Sequence, residues 1–68
     1  MSGTEDVARL IRARRDGLCD ACIAADLALP TRRVHWAAAM LGKVIGFQRI
    51  HHRCSRCTEI RWMTRRAA

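Results

Sequence analysis

The sequence predicts a mainly α-helical fold with a small β-hairpin, and three observations carry that expectation. Apolar residues recur at helical spacing as far as Gly46 and alternate with polar ones beyond it. Two Cys-x-x-Cys pairs, Cys19/Cys22 and Cys54/Cys57, bracket the stretch between. A chain of 68 residues buries little apolar surface per residue, and domains this small often need a disulfide, a metal or a partner subunit. Half of the residues are hydrophobic, many of them alanine, and Trp36, Phe47 and Trp62 are the only aromatics. A cross-link suits so thin a core.

The first helix is expected over about residues 5–15. Ser2 or Thr4 can cap it, Glu5 and Asp6 favour the positive end of its dipole, and Arg14 and Arg15 favour the other end. Val7, Leu10 and Ile11 form its apolar stripe, and Gly17 follows as the residue that ends it. A second helix is expected over residues 20–27, burying Ile23, Ala24 and Leu27. Ala28-Leu29-Pro30 breaks the pattern, and Thr31 reads as the N-cap of a third helix over residues 32–43, with Val34, Ala37, Ala38 and Leu41 facing inward. Beyond Gly46 two strands are expected, over residues 47–53 and 58–64, with Cys54-Ser55-Arg56-Cys57 at the hairpin tip. Ile60 and Trp62 alternate with Arg61 and Met63 as in a half-buried strand, and the tail from Arg65 to Ala68 reads as frayed.

The window from Asp20 to Ala37 resembles the bacterial helix-turn-helix. Ile23, Leu27, Leu29 and Val34 stand where that family keeps apolar residues, and Ala24 stands where the helix crossing demands a small side chain. Ala28 departs from the pattern, at a turn position where glycine is usual. The following Leu41-Gly42-Lys43-Val44-Ile45-Gly46-Phe47, with Arg49, looks like the helix exit and first wing strand of winged helix-turn-helix regulators. The resemblance covers roughly residues 5–64 and implies three helices plus a two-stranded wing. It also implies that the segment before the second helix pairs beside the last wing strand, which would bring Cys19/Cys22 close to Cys54/Cys57. The cysteines themselves lie outside the general family pattern.

Two such cysteine pairs are the spacing of a tetrahedral zinc site. The expected ligands are Cys19, Cys22, Cys54 and Cys57 around one structural Zn2+. Other readings compete: two disulfides, a thioredoxin-type redox pair at Cys19/Cys22, a redox or metal switch on the same site, or His51 or His52 in place of one cysteine. No apolar leader precedes the first helix, and no apolar run is long enough to span a bilayer. A cytoplasmic location is therefore expected, where paired thiols are more often metal ligands than disulfides.

The formal charge is +7, unevenly spread. Residues 1–26 hold four arginines and five acids, whereas from Leu27 onward nine cations face only Glu59. A basic second half suggests a polyanion-binding face. On the third helix Arg32, Trp36, Ala39 and Lys43 lie opposite Val34, with Arg33, His35 and Met40 on the flanks. Arginine can take guanine in a bidentate pair, and lysine binds phosphate or base acceptors. Arg49, Arg53, Arg56 and Arg61, with His51 and His52, surround the hairpin and suit flanking phosphates. The expected DNA-contacting set is Arg32, Arg33, Trp36, Lys43, Arg49, Arg53 and Arg56.

Together these features predict a zinc-stabilised protein that binds double-stranded DNA, of the kind found among bacterial or phage transcription regulators. A winged-helix platform for another protein, with Trp36 and Met40 as its anchor, is the alternative. A single-stranded nucleic-acid binder built on a zinc-ribbon-like hairpin, with Trp62 and Arg61 as a stacking platform, is the third. An enzyme is not expected, since no serine–histidine–acid set or phosphate loop is present and four thiolates leave zinc no open position. Monomer and homodimer both stay open, because no dedicated dimerisation helix follows the wing.

Overall fold

In a computed structural model, which describes residues 3–14 and 16–67, the chain runs α1 (Gly3–Ala13), β1 (Leu18–Cys19), α2 (Asp20–Leu27), α3 (Thr31–Leu41), β2 (Phe47–Arg53) and β3 (Ile60–Arg66). Glu5 and Asp6 sit in the first turn of α1, and Val7, Ala8 and Ile11 form its buried stripe. The helix stops at Ala13, earlier than expected, and the Arg14 amide closes it on the carbonyls of Leu10 and Ile11. The suggested roles of Ser2 and Arg15 fall outside the described residues. Gly17, with φ +80°, turns the chain from α1 into β1. A Cβ there would stand 2.6 Å from the Thr64 carbonyl oxygen, so only glycine fits.

Cys19 is the extended N-cap of α2, and Asp20 opens its first turn without a side-chain cap. At the other end Ala28 adopts the left-handed conformation, φ 54°, ψ 44°, and the amides of Ala28 and Leu29 both close on the Ala24 carbonyl. This is the position where the sequence carries alanine in place of glycine. Pro30, not Thr31, is the N-cap of α3, and Thr31 is its first helical residue. Proline's fixed φ suits that place. The helix ends at Leu41, and Gly42 and Lys43 continue as a turn.

The sheet corrects the expected two-stranded wing. It has three antiparallel strands in the order β1-β3-β2, because Leu18 pairs with Thr64 and Cys19 with Met63. On the other side β2 pairs with β3 from Phe47↔Arg66 to Arg53↔Ile60. The second hairpin strand begins at Ile60 and not at 58, since Thr58 has φ 64° and belongs to the turn. It continues through Arg66, and the Ala67 amide donates to Gly46, so the expected fraying does not hold for residues 65–67. Ala68 lies outside the described residues.

The three helices and the sheet enclose one small core of Val7, Ile11, Leu18, Ile23, Val34, Ala37, Leu41 and Met63. Burial on β3 does not follow the expected alternation. Met63 and Thr64 are buried, whereas Ile60 is 61% and Trp62 53% exposed. The two-residue β1 covers only the Met63–Thr64 stretch, so burial follows where the third strand stops rather than the strand's own period. No helix of the described residues is long and apolar enough to cross a membrane.

Candidate metal centre

The fold brings Cys19 and Cys22, at the start of α2, against Cys54 and Cys57, in the turn between β2 and β3. The local geometry is dictated from both sides. Pairing of Cys19 with Met63 aims the α2 N-terminus at the hairpin tip. The tip itself is closed by Thr58 N–H donating to the Cys54 carbonyl and Cys54 N–H donating to the Glu59 carbonyl, both at 2.9 Å. Ser55 fastens it further by donating to the Gly17 carbonyl at 3.0 Å.

All four Sγ atoms lie within 4.8 Å of one another. The Cys19–Cys57 and Cys22–Cys54 sulfurs are each 3.8 Å apart. A tetrahedron with metal–sulfur bonds of ~2.3 Å has edges of about 3.8 Å. A disulfide needs ~2.05 Å, and all four cysteines are free. These two contacts each join one pair to the other, as ligands shared around a single ion would. Cys19, Cys22 and Cys54 are buried and Cys57 partly so. The four-sulfur set contains no histidine. His51 packs on Trp62 and His52 is exposed. The arrangement can hold one metal ion.

Electrostatics give the same reading. Burial pushes the Cys22 thiol far up, and the neighbouring thiols of Cys19, Cys54 and Cys57 add to it. Burial also raises Cys19. Burial works against the Cys54 thiolate too, yet backbone amides of Cys57, Cys19 and Arg56 outweigh it and bring its pKa down to about 6. One such contact is the Cys19 amide, 3.4 Å from the Cys54 sulfur. One thiolate is thus ready at neutral pH, while Cys19 and Cys22 need a cation to ionise.

Around the centre the structure places the seven expected DNA-contacting residues unequally. Arg32, Arg33, Trp36 and Lys43 are exposed, and Trp36 shows 64% of its surface. Among the described residues none of those three cations has an acidic partner. Arg33 also lies along the start of α1, its stem 3.8 Å from where a Gly3 Cβ would be. Arg53 is exposed and donates to the Thr58 carbonyl. Arg56 pairs with Asp26 at the end of α2.

Arg49 needs the largest correction as a wing-surface residue. It is turned inward, its side chain 14% exposed, and holds both oxygens of Asp20 at 2.8 and 2.9 Å. It also donates to Thr64 Oγ1 at 3.2 Å. His35 on α3 meets the same carboxylate at 2.8 Å. Burial alone would raise the Asp20 pKa, but the hydrogen bonds from Arg49 and His35 prevail and lower it. Sequence reasoning missed this knot linking α2, α3 and β2. No local pattern announces a pair 29 residues apart.

Compared with known proteins, the chain matches no family model, no curated protein and no solved structure. The class defined by fold and site is therefore a three-helix, three-strand domain with a four-cysteine cluster fit for a metal.

Proposed function

We propose that this is a zinc-stabilised winged helix-turn-helix protein that binds double-stranded DNA and acts in transcription regulation. The reading is carried by one observation. The exposed face of α3 and the turn that follows it offer Arg32 and Lys43 without acidic partners among the described residues, beside a hairpin fastened to the start of the neighbouring helix. The element order and the strand order β1-β3-β2 suit a winged helix. The tight α2–α3 connection through left-handed Ala28 suits a helix-turn-helix.

Zn2+ fits four thiolates at this spacing. Held by Cys19, Cys22, Cys54 and Cys57, it would leave no open position for substrate or water, so its role is structural and no catalysis is proposed. In this reading α3 enters the major groove, with Arg32 reading base edges, Trp36 and Lys43 beside it and Arg33 on the flank. Arg53 holds a flanking phosphate. Arg49 and Arg56 drop out of the contact set, because their charges are spent on Asp20 and Asp26.

The test is a titration of the zinc-loaded chain with random and selected duplexes across a range of salt. Duplex affinity that falls steeply with salt, and falls again with Arg32→Ala, supports the proposal. Absence of duplex binding would overturn it and favour a protein-binding platform on Trp36 and Met40, which are 64% and 45% exposed.

A further inference from the structure

The exposed end of the sheet presents a second surface, of which the duplex reading above uses only Arg53. His51 and Trp62 are direct cross-strand partners, and so are Arg53 and Ile60. All four side chains therefore stand on one face of the sheet. Trp62 is 53% and Ile60 61% exposed, a large apolar area for so small a protein. The indole is held from two sides. The His51 ring tilts against it with centroids 5.3 Å apart, and the Arg49 guanidinium, itself fixed by Asp20, lies 5.9 Å from its centroid.

The charge around this face is one-sided. Arg53 and His51 flank the indole. The acids nearby, Asp20 and Glu59, are already paired with Arg49 and Arg61. Arg49 also touches His35 at 3.2 Å, so the indole is continuous with the exposed side of α3. An apolar ring braced within a cationic rim matches a nucleobase carried on a phosphate chain. Bases inside an intact duplex are stacked and cannot reach a sheet face.

We infer that Trp62, braced by His51 and Arg49 and extended by Ile60, is a stacking platform for an unpaired base. The preferred ligand is then a duplex with an adjoining single-stranded segment. The duplex lies on α3 and the first unpaired base on Trp62, with Arg53 on its phosphate. This rests on the duplex-binding reading above and adds the class of DNA to it.

The experiment uses the full zinc-loaded chain, with Trp62→Phe giving the fluorescence of Trp36 alone for subtraction, and three probes: a blunt duplex, the same duplex with a short single-stranded tail, and the tail alone. Stacking on one base is worth about a factor of ten in affinity. The tailed duplex is therefore expected to bind about tenfold more tightly than the blunt one and to quench Trp62 fluorescence. Trp62→Ala, checked for an unchanged far-UV spectrum, removes the preference, Trp62→Phe keeps most of it, and Ile60→Ala reduces it. Equal affinity for tailed and blunt duplexes without quenching overturns the stacking platform and leaves duplex binding standing. Binding to the tail alone with none to duplex overturns the joint substrate and the duplex reading. No binding to any probe overturns both.

Discussion

At the scale of single residues, backbone and charge constraints sit at positions that the apolar pattern does not mark. Ala28 holds a left-handed conformation that costs a non-glycine residue roughly 1 kcal/mol. Ala28→Gly relieves that strain while adding freedom to the unfolded chain. It is expected to stabilise the zinc-loaded protein by up to about 1 kcal/mol, read as a higher denaturant midpoint at unchanged slope. Gly17→Ala acts in the opposite direction, because its Cβ would collide with backbone at Thr64. A loss of more than about 2 kcal/mol is expected in the same assay. Asp20→Asn leaves the inward-facing Arg49 without its counter-charge. It should cost about 2 kcal/mol, below the figure for a wholly buried pair because both groups keep some exposure. Loss of DNA affinity with no loss of stability in this variant would contradict a structural role for the pair.

At the scale of elements, the centre ties together two segments whose own hydrogen bonding is slight. β1 is two residues long, and the hairpin turn carries a non-glycine residue at positive φ. On the zinc proposal, chelation is expected to abolish the cooperative thermal transition, since structural zinc contributes on the order of 10 kcal/mol in small domains. Amide signals from residues 18–24 and 53–60 should lose dispersion first. A chelated protein with an unchanged NMR spectrum would reject the metal. The four-cysteine cluster was legible because Cys-x-x-Cys spacing is a local signal that needs no knowledge of the fold. The bounds of α2 and β2 were legible too, since Asp20, Ala28, Gly46 and Cys54 punctuate a clear period. The exposed placement of Ile60 and Trp62 was not, because it depends on how far β1 extends along β3. Nor was the Asp20–Arg49–His35 knot, which exists only once three elements have packed.

At the scale of the whole molecule, the net charge of +7 overstates what is free to meet a polyanion. Of the six cations read as DNA contacts, Arg49 and Arg56 are occupied by Asp20 and Asp26. Arg32, Arg33, Lys43 and Arg53 remain. If each meets one phosphate, the logarithmic salt dependence of duplex binding has a slope of about −4, where all six would give about −5. Arg49→Gln should leave that slope unchanged while lowering stability, whereas Arg53→Gln should make it shallower by about one.

The sulfur contacts between residues 19 and 57 and between 22 and 54 also make the chain, in effect, a closed ring when metal is bound. Ile45, fully exposed in the loop between α3 and β2, lies on the arc between the ligand pairs. A protease that cuts beside Ile45 would therefore leave two pieces, each carrying one cysteine pair, still riveted together through the ion. On a native column the nicked protein should elute as one species and come apart when chelator is added.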